Sequence, residues 1–389
     1  MLKNDPDDSD VFVVDDDWEV GFEIEIHVGS MGIPKWETLV DSGDALDEAT
    51  PEFCRDVAKR LTALTGRPFK APRNGWRRGL FAVVPEYDLD PLSFSEDICA
   101  GVEVITPPLP FTEAEQLLRL IGKACREIGA QVDDTCGLHI NVSRRRDTRS
   151  FDFTVWNYVF SVDEEAVLIR NGRFESEHAR PQLDAVTPAI LAHLREDPTG
   201  SILSRSVDQT IHGMAGYGKR FAANFDKLDR GYIELRFWNG ESLENASWEL
   251  MDLLVLLLAE ISNASLGRLF QSGDEFIRKH VEIRRWLDGV AGRLRIGEPV
   301  KSKFDVSPEL PILLDDRCVG HFGTNRGYEV RPYGANWALS NEACRVPNAR
   351  LSDWREGFAR MVLKDIAFRR AKGKLDGLPE WAAGLAAIV

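Results

Sequence analysis

The sequence predicts a mixed α/β (α+β) protein, and three observations predict it. Four separate short segments alternate apolar and polar residues at the period of two that strand faces impose. Among them lie stretches with apolar residues at helical spacing, bounded by capping and breaking residues. The 389 residues are 43% hydrophobic and 29% charged, enough apolar material for a sizeable core in one large domain or two smaller ones.

Residues 1–16 are rich in Asp, too charged to pack, and are expected to form a disordered acidic tail. The first strand is GFEIEIHV, residues 21–28, in which Glu23, Glu25 and His27 project one way and Phe22, Ile24 and Ile26 the other. Two carboxylates about 5 to 7 Å apart repel by roughly 2 to 3 kcal/mol at an effective dielectric of about 20, so a cation is expected beside them. A solvated acidic edge strand is the plainer alternative. Thr50 and Pro51 suit the start of a helix running to Thr65, with Phe53, Val57, Leu61 and Leu64 at helical spacing and Gly66 at its end. A short strand is expected over residues 81–84, and a second polar-faced strand in GVEVITPPL, residues 101–109, carrying Glu103. Thr112 and Glu115 read as a capping box for a helix to about residue 128, with Leu117, Leu118, Ile121 and Cys125 on its apolar stripe. CGLHINVS presents His139 and Asn141 on one face, and residues 151–196 read as mainly helical, interrupted near Asn171 and Pro181. YIELRFWNG sets Glu234 and Arg236 on one face, ahead of a long apolar helix over about 243–270 and another over 274–287. From about residue 296 the texture is of loops, the short run YEVRP and an amphipathic helix over 353–370.

Charge and composition remove several function classes. Net charge is −15, but eight acids within residues 1–20 face only Lys3, leaving about −8 for the rest, so nucleic acid is not an expected partner. The N-terminus has no basic start followed by an apolar core, and the longest apolar run, residues 253–259, is too short to span a bilayer. Cys54, Cys99, Cys125, Cys136, Cys318 and Cys344 show no CxxC pair and no zinc spacing, as expected of reduced thiols in a cytoplasmic protein.

Side by side in one sheet, the four polar-faced strands would form a cup of carboxylates with one imidazole and one guanidinium. Hard oxygen donors of this kind suit magnesium or manganese rather than structural zinc. Plainer alternatives remain: a rim carboxylate for Glu103, a satisfied core histidine for His139, and a surface ion pair for Glu234 and Arg236.

The series GFEIEI, GVEVITPPL, CGLHINV and YIELRFWNG, in this order and followed by a long apolar helix, resembles the amidoligase family. That family is related to glutamine synthetase and glutamate-cysteine ligase among ATP-dependent carboxylate-amine ligases. The resemblance spans about residues 18–290 and implies a curved, mainly antiparallel sheet of the glutamine synthetase-like type, whose concave face holds two or three metal ions and the phosphates of ATP, with helices on its outer face. It marks 17–295 as a catalytic domain and leaves 296–389 as an extension of unknown role. Carried over, it makes Glu23, Glu25, Glu103, His139 and Glu234 metal ligands, and Arg236 and Glu25 the catalytic residues. Arg236 would meet the transferring phosphoryl group. The implied chemistry is activation of a small-molecule or peptide carboxylate by ATP with Mg2+ or Mn2+, then attack by an amine. Many members carry a second histidine where this chain has Asn141, a weaker ligand, with His27 a conceivable substitute.

GMAGYGKR, residues 213–220, formally matches GxxxxGK, yet Arg220 stands where a phosphate loop needs Ser or Thr. A basic loop over ATP phosphates, with Lys219 and Arg220 as donors, fits better, and a solvated turn is the bland alternative. Arg73, Arg77 and Arg78 read as a charged loop, Glu329 and Arg331 as an ion-paired strand, and Asp163, Glu164 and Glu165 as an acidic helical face without catalytic part. Two rivals to a ligase stay open: a metal-dependent hydrolase using the same cup, and a non-catalytic binding module retaining the fold. A homo-oligomer is compatible with either.

Overall fold

A computed structural model of the chain describes residues 18–28, 43–72, 79–86, 100–132, 135–144, 162–174, 178–198, 220–240, 270–299, 310–323, 329–331, 353–376 and 378–388, with a few single positions between them. It is α+β, with a mainly antiparallel eight-stranded sheet and a separate four-stranded one. The chain divides into two compact units: Met1–Asp152, Lys227–Leu235 and Asn239–Asn263 form the first, and Phe153–Asp226, Arg236–Trp238 and Ala264–Val389 the second. Among the described residues, no helix is long and apolar enough to cross a membrane.

The first unit is built on β1, Trp18–Val28. Its alternation is complete: Trp18, Val20, Phe22, Ile24, Ile26 and Val28 are all buried, while Glu23 and Glu25 stay partly exposed on the opposite face. β1 is central, pairing antiparallel with β3, Ala100–Ile105, on one side and β6, Gly137–Arg144, on the other. β2, Ala82–Pro85, extends the sheet beyond β3, and β8, Ile233–Asn239, lies beyond β6, with Ile233–Leu235 in this unit; β7, Ala223–Asn224, belongs to the second unit. Two short strands, β4 (Leu109–Pro110) and β5 (Ala130–Gln131), pair with the two ends of β1.

Two helices close this unit's core. α1, Gly43–Thr65, packs on β2 and β3 through Phe53, Val57 and Leu61, and α2, Phe111–Glu127, packs on β1 through its buried stripe. Each fully buried Leu, Ile or Phe contributes about 1.5 to 3 kcal/mol, so this apolar face secures the sheet. The structure corrects both expected helix starts. α1 begins at Gly43, so Pro51 lies inside it and Thr50 is no cap. α2 begins one residue before Thr112, with Pro110 at the cap position and no side-chain cap bond, and Glu115 instead pairs with Arg119 one turn on. Gly66 ends α1 as expected, in the left-handed conformation at φ 72°.

The second unit is mainly helical. Asp163 caps α3, Glu164–Arg170, by accepting from Ala166 N at 3.1 Å, and α4 spans Leu183–Glu196. α5 (Phe270–Ala291), α6 (Trp354–Ala371) and α7 (Glu380–Ile388) follow. The loop texture expected after residue 296 is wrong in part: β9 (Leu294–Ile296), β10 (Leu310–Leu314), β11 (Arg317–Gly323) and β12 (Glu329–Arg331) form an antiparallel sheet with β12 at its edge. Asp315 and Asp316, both at positive φ (48° and 64°), make the two-residue turn between β10 and β11.

α6 forms where the amphipathic helix over 353–370 is expected, but it buries charged residues as well as apolar ones. Glu356, Arg360, Lys364, Asp365 and Arg369 are buried along with Phe358, Met361, Val362 and Ile366. Arg360 donates to Asp184 at 3.0 Å and to Glu165 at 2.6 Å, Lys364 donates to Asp184 at 3.0 Å, and Glu356 accepts from Arg195 and Arg284, each at 2.6 Å. Most residues of the expected helix over 243–270, the tail 1–16 and the Arg73, Arg77 and Arg78 knot lie outside the described residues.

Candidate functional site

Antiparallel register brings the polar faces together. Directly opposed residues share a face, and β1 places Glu25 opposite Glu103 of β3, Glu23 opposite His139 of β6, and Gly21 opposite Asn141. Oxygens of Glu23 and Glu103 and a ring nitrogen of His139 lie within 4.8 Å of one another, as do oxygens of Glu25, Glu86 and Glu103. His139 is 4% exposed; its Nε2 stands 3.8 Å from Glu25 Oε1, and its Nδ1 stands 3.9 Å from Glu23 Oε2 and 3.5 Å from Glu234 Oε1. Glu23, Glu25, Glu103, His139 and Glu234 therefore converge, although they are drawn from four strands.

Two glycines make the convergence sterically possible. A Cβ on Gly137 would lie 2.6 Å from His139 Nε2 and 2.9 Å from Glu25 Oε2, and the Gly137 amide donates to Glu25 Oε2 at 2.6 Å. At Gly101 a Cβ would meet Glu86 O at 2.3 Å. The bare glycine lets the chain after β2 come close enough for Glu86 N to donate to Gly101 O at 3.0 Å. Glu86 thus reaches the cup. The sequence reading missed it because it follows Pro85 in a segment that looks irregular; continuing the alternation of β2 from Val84, which opposes Glu103, would have found it.

The electrostatics are lopsided. Burial and the charges of Glu23, Glu25, Glu86 and Glu234 push the Glu103 carboxyl up to about 8. Burial raises Glu23 as well, but His139, Lys227 and Asn141 outweigh it and bring that carboxyl down to about 2. Lys227 is the second residue that sequence reasoning missed: its Nζ is 2.6 Å from Glu234 Oε2 and 3.5 Å from Glu23 Oε1. Burial opposes its charge, yet Glu23 and Glu234 together raise its affinity for the proton. Asn141 donates through Nδ2 to Glu23 Oε1 at 2.9 Å, acting as a donor to a carboxylate where the resemblance expects a second imidazole.

The donor set suits a hard divalent cation: carboxylate oxygens with one imidazole, partly shielded from water. An unsatisfied buried atom points the same way, since His139 Nδ1 has no hydrogen-bond partner among the described residues. His27, fully buried on the same face of β1, belongs to neither group of close ligand atoms.

The remaining candidates are placed differently. Arg236 lies two residues beyond Glu234 on the same face of β8, half-buried, and its amide donates to Ala222 O at 2.7 Å within the second unit. Arg220 is exposed in the second unit, its carbonyl accepting from Arg180 N at 2.9 Å, and Lys219 lies outside the described residues. Glu164, expected on an acidic helical face, is 3% exposed, accepting from Tyr158 OH at 2.9 Å and from the Gln182 amide. Burial pushes its carboxyl up to about 8. Glu165 is tied to Arg360.

Residues 16–167 match the family model described as "Putative amidoligase enzyme", so this segment is an amidoligase-family domain. The match spans β1 to β6, with Glu23, Glu25, Glu86, Glu103 and His139 inside it and Lys227, Glu234 and Arg236 beyond it. No curated protein matches the chain.

Proposed function

We propose, from the premise of that amidoligase-family domain, that the chain is an ATP-dependent carboxylate-amine ligase requiring a divalent metal. A substrate carboxylate takes the γ-phosphoryl group of ATP, an amine attacks the resulting acyl phosphate, and an amide, ADP and phosphate are released. The observation that carries this reading is the convergence of five carboxylates and one imidazole on a single sheet face of the first unit.

When bound, Mg2+ or Mn2+ would neutralise charge on the β and γ phosphates during transfer, since a free carboxylate is a poor acyl donor until activated. Glu23, Glu25, Glu86, Glu103 and His139 are the residues that would hold it, with Glu234 facing a cation at the second end of the cup. The backbone amide of Gly137 fixes the Glu25 carboxylate by donating to one of its oxygens, leaving the other for a ligand. Arg236, on the face of β8 that carries Glu234, is the candidate for stabilising the transferring phosphoryl group, and Lys219 and Arg220 are candidate nucleotide donors. The expected setting is cytoplasmic, with a peptide or amino-acid derivative supplying the carboxylate.

The test is calorimetric titration with a non-hydrolysable ATP analogue and Mg2+, alongside ADP release measured with mixtures of amino acids and short peptides. Nucleotide affinity is expected to depend on metal and to fall at least tenfold in Glu25→Gln, and ADP release to require an amine. In Arg236→Met, turnover is expected to fall about 100-fold with nucleotide affinity little changed. Nucleotide binding that ignores both metal and the Glu25 substitution would remove the ligase, and hydrolysis proceeding without ATP would replace it with a hydrolase.

A further inference from the structure

We propose that Lys227 is itself the cation at one end of the cup, so that the site takes a single divalent ion at the other end; this rests on the metal-dependent reading above. The ammonium lies 2.6 Å from Glu234 Oε2 and 3.5 Å from Glu23 Oε1. Asn141 Nδ2 donates to that same Glu23 oxygen at 2.9 Å. One oxygen of Glu23 and one of Glu234, on the two strands flanking β6, are therefore both held by nitrogen donors. A divalent ion bound to either oxygen would lie beside the ammonium and be repelled by it, and each oxygen already gives lone-pair capacity to a nitrogen donor.

The backbone that carries the ammonium is fixed locally. Lys227 O accepts from Arg230 N at 2.9 Å, closing the tight turn Leu228–Arg230, and Gly231 at φ 85° sends the chain back toward β8. Lys227 and Glu234 thus sit on the two arms of one short turn and pair locally. The ring of Tyr232, 5.5 Å from the ammonium, adds a cation–π contact. Glu234 is 1% exposed and needs a partner of opposite charge at all times. An ammonium carried on the other arm of the same short turn fills that need locally, whereas Mg2+ must shed water that it gives up reluctantly. The opposite end is left for the metal: oxygens of Glu25, Glu86 and Glu103 lie within 4.8 Å of one another, and Glu103 is shared with the group of Glu23, Glu103 and His139, so one ion there can draw on both groups.

The experiment is titration of the full chain with Mn2+ alone, reading stoichiometry by calorimetry and ion–ion coupling by electron paramagnetic resonance. The wild type is expected to saturate with a single ion showing the resolved hyperfine pattern of isolated Mn2+. Lys227→Met is expected to gain a second ion, with the broadened spectrum of a coupled pair. A wild type that already holds a coupled pair overturns the assignment while leaving the ligase reading in place, and so does a folded Lys227→Met that stays at one ion. A wild type that binds no Mn2+ removes the metal-dependent reading and this inference with it. Wild-type stoichiometry alone decides the matter if Lys227→Met does not fold.

Discussion

Gly137 has no side chain, and the cup depends on that absence. A methyl group there would press on both His139 Nε2 and Glu25 Oε2, at 2.6 and 2.9 Å, while the backbone beneath continued to pair. Gly137→Ala is therefore expected to weaken Mn2+ binding by about 10- to 100-fold, with cooperative unfolding retained; unchanged affinity in the same titration would show that the ligand atoms can shift without loss. Glu164 supplies a second residue-scale prediction, in the other unit. Its carboxyl is raised from 4.5 to about 8 chiefly by burial, so the folded chain holds a proton that the unfolded chain has lost between those values. The sign follows from linkage: stability from this group is full below about pH 4.5, falls as pH rises to about 8, and is flat beyond, with a slope of at most about 1.4 kcal/mol per pH unit. Glu164→Gln, able to accept from Gln182 and donate to Tyr158, is expected to remove that slope. Urea unfolding of both proteins from pH 5 to 8 checks it, and parallel curves would refute it. Neither residue's role was legible in the sequence: Gly137 draws no reading within CGLHINVS, and Glu164 reads as one of three acids on a helical face, because what surrounds each comes from distant chain.

At the scale of the element, β1 and α6 make opposite cases. β1 was legible because its two faces differ and the period of two is a local property of extended chain. α6 was legible as a helix but not in its partners, since Arg360 and Lys364 are almost fully buried against Asp184 of α4. Removing Asp184 strands two buried cations, and Asp184→Ala is expected to lower the unfolding free energy by about 3 to 5 kcal/mol. Urea denaturation measures this directly, and a loss below about 1 kcal/mol would mean that Glu165 and the cation–π contact of Lys364 with Phe174 are sufficient. The capping box proposed at Thr112 failed for a related reason: the pairing of Leu109 and Pro110 with β1 fixes where α2 starts and overrides the local capping preference.

At the scale of the molecule, most of the first unit could be read before folding. Alternation marked β1, β3, β6 and β8 and named Glu23, Glu25, Glu103, His139 and Glu234, and the match over residues 16–167 agrees with the family that those motifs resemble. The acidic character of the cup and its need for cations follow from local chemistry alone, since side chains two apart on a strand must share a face and like charges so placed must repel. Which atoms meet that need was decided only by tertiary structure. Glu86 enters through a close approach at a glycine, and Lys227, about two hundred positions from Glu23, enters on a turn with no periodic signature. Periodicity is written within a few residues of chain. Register between strands, and the choice of cation for a buried carboxylate, are settled by partners that no local pattern encodes.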